Sequence, residues 1–205
     1  MKSRLFIFAL LSIIPFISYA QEPLLNETFE KFEVSSFQQF VEIPSGLKWV
    51  GNGASVAIVA NPNKSGINTS NLVMQLKREA NPGIVEGAEG NLRPDGNGYK
   101  GCLTYSYGLN LDDNLCVIEV KVLTKISGKV GIRIYPDISK KTYSEIVVKT
   151  KASDEWQLVR FDFTGKIPSD ISNSKFLFEI DKILTAESQS TEMTMCIDDI
   201  KLIAK

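Results

Sequence analysis

Apolar and polar residues alternate with a period of two along several short segments of this 205-residue chain. In the run from Leu115 to Leu123, Ile118 and Val120 fall on one side, and Glu119 and Lys121 fall on the other. Successive side chains of a strand point to opposite faces of a sheet, so this pattern predicts half-buried antiparallel strands. Similar patterns predict strands at 56–59, 72–76, 115–123, 130–135, 144–149, 156–163, 176–180 and 193–203.

Turn-forming residues separate these segments. Asn61-Pro62-Asn63, Asn81-Pro82-Gly83 and Ser127-Gly128 are typical of tight turns. No amphipathic helix of useful length is present, and residues 182–190 fit at most one short helical turn. Many short strands without helices between them predict an all-β fold, an antiparallel sandwich or barrel.

The first twenty residues have the layout of a secretory signal peptide. Lys2 and Arg4 precede an apolar run from Leu5 to Ile17, and Ser18-Tyr19-Ala20 supplies small residues before a cut at Gln21. The run is shorter than the about 20 apolar residues that span a bilayer. We therefore expect residues 1–20 to be a signal peptide, residues 21–205 to be a single domain, and the protein to be exported without a membrane span.

Charge and histidine content narrow the possible functions. Without the first twenty residues, 21 basic residues stand against 24 acidic ones, which gives nucleic acid no basic footprint. The chain contains no histidine, which excludes Ser-His-Asp and Cys-His nucleophiles and His-ligated metals. Cys102, Cys116 and Cys196 allow either one disulfide with one buried thiol or three buried thiols.

Four stretches together resemble a known family. They are Asn26–Glu30, Asn61–Ser70, Trp156–Gly165 and Ile197–Leu202. In this order they resemble the galactose-binding-like jelly-roll carbohydrate-binding modules attached to laminarinases and xylanases in Bacteroidetes, over most of residues 26–203. The resemblance implies an antiparallel β-sandwich that binds a polysaccharide or oligosaccharide. It also implies a place in the periplasm, outside the cell or on the surface of a Gram-negative bacterium, where separate carbohydrate-active enzymes are possible partners.

The resemblance further implies a structural calcium ion that joins the first strand to the last. Glu30 and Asp198 would be its side-chain ligands, with Asp199 as a substitute and backbone oxygens near Lys64 and Ser65 completing the shell. Calcium takes 6–8 oxygen ligands, and carboxylates with carbonyls suit it. The alternative is that Asp198 and Asp199 only place charge on an edge strand.

A sugar site needs flat aromatic faces and polar groups for hydroxyls. The alternative for each tyrosine is ordinary packing at a sheet edge. Residues 78–101 form a long glycine-rich loop that we expect to shape the site. Trp156 is expected in the core, whereas Trp49 fits either role. The candidate glycan-binding residues are Arg78, Tyr99, Tyr105, Tyr107, Arg133 and Tyr135.

Catalysis is a weaker interpretation. Glu179-Ile180-Asp181 resembles the start of a hydrolase motif, but the third acid is replaced by Leu184, and glycosidases need two carboxylates. The leading hypothesis is a non-catalytic glycan-binding module. A polysaccharide lyase or glycoside hydrolase on the same scaffold is the runner-up, and a structural or adhesive surface domain is the third hypothesis.

Overall fold

The structure is a computed structural model. It describes residues 25–42, 47–50, 54–80, 102–105, 111–112, 114–135, 143–167, 175–180 and 192–204. Within these ranges, residues 40–42, 47–50, 102–105, 135 and 175–180 are described by the path of the backbone alone. The predicted signal peptide at 1–20 and the predicted helical turn at 182–190 lie outside the described residues.

Twelve strands run through the described residues. In chain order they are β1 (Asn26–Glu27), β2 (Phe40–Glu42), β3 (Leu47–Val50), β4 (Ala54–Ala60), β5 (Leu72–Arg78), β6 (Cys102–Tyr105), β7 (Val117–Thr124), β8 (Gly128–Tyr135), β9 (Ser144–Thr150), β10 (Gln157–Asp162), β11 (Lys175–Ile180) and β12 (Met193–Ile203).

The strands form two antiparallel sheets. Sheet A has the order β10-β7-β12-β5-β4, and β1 also pairs with β12. Sheet B has the order β2-β3-β6-β11-β8-β9. One core cluster contains buried residues of both sheets, such as Ile197 of sheet A and Ile132 of sheet B. The predicted antiparallel β-sandwich is therefore confirmed.

A row of four apolar side chains shows how sheet A builds its half of the core. Ile197 pairs with Val122 on one side and with Met74 on the other, and Met74 pairs with Ile58. All four are buried, and Ile197, Val122 and Met74 have no exposed surface. Burying each such side chain contributes about 1.5–3 kcal/mol, so the buried positions of the period-two pattern contribute substantially to stability.

A β-bulge in β12 changes which residues face the core. The pairing of β12 with β7 shifts register between Asp198 and Lys201, and Asp199 has a φ of 47°. Asp tolerates this left-handed conformation better than most residues. Because of the bulge, Ile197 and Ile200 are both buried although three positions separate them.

The outer edge of β4 is covered by the segment between β1 and β2. Ser35 and Ile58 are joined by two hydrogen bonds, from the backbone nitrogen of Ser35 to the carbonyl oxygen of Ile58 at 2.9 Å and from the nitrogen of Ile58 to Ser35 Oγ at 3.0 Å. Gln38 and Val56 exchange two backbone hydrogen bonds of 2.8 Å. Covering an edge in this way removes a template for pairing with another chain.

All eight strands predicted from alternation are confirmed, with ends that differ by a few residues. The short strands β1, β2, β3 and β6 were not predicted. They have two to four residues each, too few for a period to show. Within the described ranges, no helix is long and apolar enough to cross a membrane.

Two of the three cysteines have described side chains. Cys116 and Cys196 are both buried, and they do not form a disulfide with each other. Cys116 belongs to the core between the sheets, whereas Cys196 packs with Trp156 on the other face of sheet A. A disulfide between Cys116 and Cys196 is therefore excluded, which favours the hypothesis that the cysteines act as small apolar residues.

Candidate functional site

The solvent-facing side of sheet B carries an ordered group of polar and aromatic residues at the β8–β9 hairpin. Arg133 pairs in register with Glu145, while Ile132 and Ile134 beside Arg133 are buried in the core. The alternation of strand side chains thus places Arg133 and Glu145 together on the outer face. Tyr143 lies directly before β9 and is 43% exposed.

Short contacts fix the geometry of this group. Arg133 Nε donates a hydrogen bond to Glu145 Oε1 at 2.6 Å. The guanidinium carbon of Arg133 lies 4.8 Å from the centroid of the Tyr143 ring. We call Arg133, Tyr143 and Glu145 the hairpin cluster. It combines an aromatic face, a guanidinium and a carboxylate, which are the groups that bind the apolar and hydroxyl surfaces of a sugar.

A glycine and an exposed valine lie beside the hairpin cluster. Gly131 pairs with Val147, and Val147 is 37% exposed on the same outer face as Glu145. A glycine in a strand often marks a place where another group approaches the backbone closely. The Arg133–Glu145 pair is partly exposed, with side chains 16% and 27% accessible. Ion pairs that water reaches contribute about 0–1 kcal/mol to folding, so stability alone is a weak reason for the arrangement.

The structure separates the sequence-predicted glycan residues. Arg133 lies in the hairpin cluster. Tyr135 and Tyr105 lie on β8 and β6 of the same sheet, where β11 runs between the two strands. Tyr99 and Tyr107 lie outside the described residues, as does most of the 78–101 loop.

Arg78 is placed differently from the prediction. It is 1% exposed and lies on the same side of β5 as the core residues Met74 and Leu76. Its Nη1 donates to the carbonyl oxygen of Glu79 at 3.2 Å. The sequence already indicated that Arg78 faces the core. Residues two or four positions apart in a strand lie on the same face, and Arg78 is two positions from Leu76 and four from Met74.

Tyr143 and Glu145 were missed by the sequence analysis. The signal for Glu145 is its register opposite Arg133, which follows only once the hairpin between β8 and β9 is known. Tyr143 precedes β9 and shows no alternation that would link it to Arg133.

A second group of packed and hydrogen-bonded residues lies on the outer face of sheet A. Trp156 is 7% exposed and packs with Val73, Leu123 and Cys196. Its predicted burial in the core is confirmed, in a second and smaller core cluster than the one between the sheets. Its Nε1 donates to the carbonyl oxygen of Asn63 at 2.8 Å and also reaches Asn61 Oδ1 at 3.2 Å. These bonds hold the 61–71 loop against the outer face of sheet A.

A pocket of about 580 Å³ lies beside this cluster, on the outer face of sheet A. Gln75, Leu123, Thr194 and Cys196 from β5, β7 and β12 form its floor. The turn at 62–63, residues 124–126, Asp154 and Glu192 form its walls.

The three predicted calcium ligands, Glu30, Asp198 and Asp199, each have their own hydrogen-bond or ion-pair partners. Glu30 accepts hydrogen bonds from the nitrogens of Asn71 and Leu72 and from Asn71 Nδ2 at 2.9 Å. The bonds from Asn71 are the main cause of a lowered pKa of the Glu30 carboxyl. Asp199 Oδ2 lies 2.5 Å from Lys121 Nζ and 3.5 Å from Lys201 Nζ.

Asp198 is the most deeply buried of these acids. It has no exposed surface, and its Oδ1 accepts a hydrogen bond from the nitrogen of Asp199 at 2.8 Å. Its Oδ2 is buried and makes no hydrogen bond of good geometry to the described residues. Burial raises the pKa of the Asp198 carboxyl, and the nearby side chains of Ser70 and Asn68 offset part of this effect. In the part of the chain that the structure describes, no three Cys, Asp or Glu side chains are grouped to hold a metal.

Comparison with known proteins gives a fold and no close relative. No protein-family model matches the sequence, and no curated protein matches it. A chain of an exo-β-agarase superposes with a TM-score of 0.55 at 10% identity, over 89% of this chain and 25% of that one. The adhesin domain of Lys-gingipain from Porphyromonas gingivalis W83 superposes with a TM-score of 0.52 at 14% identity, over 89% of this chain and 99% of that one.

Carbohydrate-binding modules of β-sandwich fold are also among the similar solved structures. A structure of promiscuous modules of the β-sandwich superfamily gives a TM-score of 0.43 at 13% identity, over 78% of this chain and 58% of that one. Modules of families 11, 22 and 61 are similar as well. The similarity to the exo-β-agarase chain and to the adhesin domain shows the fold, and the fold alone does not assign a function.

Proposed function

We propose that this chain is a glycan-binding module and that the outer face of sheet B, at the hairpin cluster, is its binding surface. The observation that carries the proposal is the contact of Arg133 with both the exposed Tyr143 ring and the Glu145 carboxylate. An aromatic ring offers a sugar an apolar stacking face, and guanidinium and carboxylate groups pair with its hydroxyls.

Binding without bond cleavage fits this surface best. Hydrolysis of a glycoside requires two carboxyl groups with separate roles, one of which protonates the leaving group. Glu145 is held by the Arg133 guanidinium at 2.6 Å, which suits a fixed hydrogen-bond acceptor. The chain has no histidine to act as an alternative acid or base.

We further propose that the module is exported and works outside the cytoplasm. The support is the layout of residues 1–20, which is typical of a signal peptide. The test is the N-terminal sequence of the protein secreted by its own host, which should begin at Gln21. A mature chain that still carries Lys2 and Arg4 would contradict it.

A structural calcium ion is proposed at Asp198. The buried Oδ2 of Asp198 has no hydrogen bond of good geometry among the described residues, and a cation would supply the missing charge partner. Glu30, which accepts hydrogen bonds from the nitrogens of Asn71 and Leu72, is proposed as the second ligand, with the ion in place of these N–H donors. Asp199 is a poor ligand because two lysines already neutralise it.

The binding proposal is tested by affinity electrophoresis of the protein in gels that contain laminarin, xylan, mannan, pectin or alginate. We expect retardation by at least one glycan and a clear weakening of that retardation in Arg133→Ala and Tyr143→Ala. The chain offers a matched control on sheet A. Arg160 of β10 lies 4.0 Å from Glu119 of β7, outside the hairpin cluster. Arg160→Ala should keep the retardation.

The other outcomes lead to the competing hypotheses. Retardation with release of reducing or unsaturated ends on long incubation would establish a hydrolase or lyase. Retardation that is undiminished in Arg133→Ala and Tyr143→Ala would move the site away from the hairpin cluster. No retardation in any gel would overturn glycan binding and leave a structural or adhesive role.

A further inference from the structure

The pocket on the outer face of sheet A is distant from the hairpin cluster in the fold, because it opens on the other side of the sandwich. Its volume of about 580 Å³ lies within the range of about 300–1,000 Å³ that is typical of small-molecule sites. Three neighbouring strands, β5, β7 and β12, supply its floor, so the floor is part of the sheet and not of a loop.

The walls of the pocket are tied to each other. Asn63 Nδ2 donates to the carbonyl oxygen of Asp154 at 2.5 Å, which joins the 62–63 wall to the wall at 154. The carbonyl oxygen of Asn63 accepts the bond from Trp156 Nε1, and Asn63 nitrogen donates to Asn61 Oδ1 at 2.9 Å. A site held in place before the ligand arrives loses less conformational entropy on binding.

The chemistry of the pocket suits a neutral, hydroxyl-rich ligand. Leu123 and Cys196 make part of the floor apolar, and the Gln75 amide and Thr194 hydroxyl make the rest polar. At the rim, Asp154 pairs with Lys125, and Glu192 pairs with Lys77 at 2.7 Å. The two carboxylates and two ammonium groups balance, so no net charge selects for an anionic ligand, while each can bind a hydroxyl.

We propose that this pocket is a second glycan site that takes one or a few residues of a neutral oligosaccharide. The inference rests on the proposed function for the class of ligand, and on the pocket alone for the place. With sites on both outer faces, one molecule holds two glycan chains, or two parts of one chain, and gains avidity when both are engaged.

The test is a titration of the isotope-labelled protein with laminarihexaose, xylohexaose and mannohexaose, followed by backbone amide shifts in two-dimensional NMR. Trigalacturonic acid serves as the anionic comparison. A neutral ligand in the pocket should shift Gln75, Leu123, Thr194 and Cys196 together, whereas a ligand at the hairpin cluster should shift Arg133 and Glu145. We expect both groups to move, with separate binding curves.

Substitutions at the rim of the pocket test whether the shifted amide signals report binding in the pocket. Asp154 and Glu192 are exposed, with side chains 80% and 52% accessible, so Asp154→Asn and Glu192→Gln should leave the fold intact. Because a hydrogen bond to a charged group is lost in each, the double variant should bind at the pocket at least about tenfold more weakly. Glu119→Gln, a carboxylate on the same face but outside the pocket, should bind as the parent does.

Each result decides between the two proposals. Shifts at the hairpin cluster alone overturn the second site and leave the proposed function standing. Shifts at the pocket alone overturn the assignment of sheet B and keep the second site. Stronger binding of trigalacturonic acid than of the neutral hexaoses overturns the inferred ligand class, and unchanged affinity at the pocket in the double variant overturns the role of the rim.

Discussion

The indole nitrogen of Trp156 donates a hydrogen bond to the carbonyl oxygen of Asn63, 93 residues earlier in the chain, at 2.8 Å. The same N–H lies 3.2 Å from Asn61 Oδ1. Asn61 is itself 7% exposed and donates through Nδ2 to the carbonyl oxygen of Ser70 at 2.9 Å. One side chain at the start of β10 thereby fixes both ends of the 61–71 loop.

Trp156→Phe should lower the free energy of unfolding by about 1–3 kcal/mol, because it removes the N–H donor and some buried apolar area. Urea unfolding, with the midpoint and the slope both fitted, measures the change. Leu158→Ala is the control on the same strand, since Leu158 is 53% exposed and should change stability by less than about 0.5 kcal/mol. Equal effects of the two substitutions would mean that the indole bonds do not anchor the loop.

Arg133→Lys should behave almost like Arg133→Ala in glycan binding. A lysine keeps the positive charge but has neither the planar group that stacks on Tyr143 nor the fork that meets Glu145. We expect affinity to fall about tenfold or more, while stability changes by less than about 1 kcal/mol because the pair is partly exposed. Affinity electrophoresis and urea unfolding give the two values. Full affinity in Arg133→Lys would show that charge alone is recognised.

Cys196 should react slowly with alkylating agents in the native state, and its rate should keep rising with pH. Burial raises the pKa of this thiol to about 11 from an ordinary value of 9.0, with a weaker opposing effect of the Gln75 side chain at 3.8 Å. The thiolate is the reacting form, so the native rate should level off near pH 11 and the rate in urea near pH 9. Mass spectrometry of iodoacetamide-treated protein follows the site.

The same shift links Cys196 to stability. The folded pKa lies above the unfolded one, so the contribution of this thiol is fully present below about pH 9 and is lost as pH rises towards 11. Cys196→Ala should show less loss of stability over that range than the parent protein. If both titrate alike, the thiol is not buried as described.

Asp198→Asn should have opposite effects with and without calcium. In EDTA, burial raises the folded pKa of Asp198 above its ordinary 3.8, so the stability linked to its proton is greatest at low pH and is lost as pH rises through the folded pKa. The asparagine carries no such charge, so in EDTA the variant should equal the parent near pH 3 and exceed it at pH 7.

Calcium should reverse this order at pH 7. A bound ion stabilises the folded parent by about 2.7 kcal/mol at a concentration one hundred times the dissociation constant, and the variant should gain much less. Thermal unfolding in EDTA and in calcium chloride makes the comparison. A parent protein that is indifferent to calcium would remove the proposed ion and leave Asp198 as a buried acid.

Much of the fold could be predicted from the sequence, and particular residues show why. The long strands β7 and β12 show their period because apolar residues such as Val120 and Ile197 recur on one face. The bulge at Asp199 was not predictable, because no local pattern marks a φ of 47° there. The hairpin cluster was predicted only in part. Arg133 was identified, but Glu145 was not, because its position beside Arg133 depends on the register of strand pairing, which composition does not reveal.

The position of β12 has a consequence for how quickly the chain can fold. It is the last strand in sequence among those described, yet it lies between β7 and β5 and also pairs with β1. Sheet A therefore cannot close until residues 193–203 have been synthesised, and its central pairings join segments far apart in the chain. Such non-local topology slows folding and exposes unpaired strands for longer. A nascent chain that stops short of β12 leaves β5 and β7 without their shared partner strand, and so depends on chaperones or on rapid completion to escape aggregation.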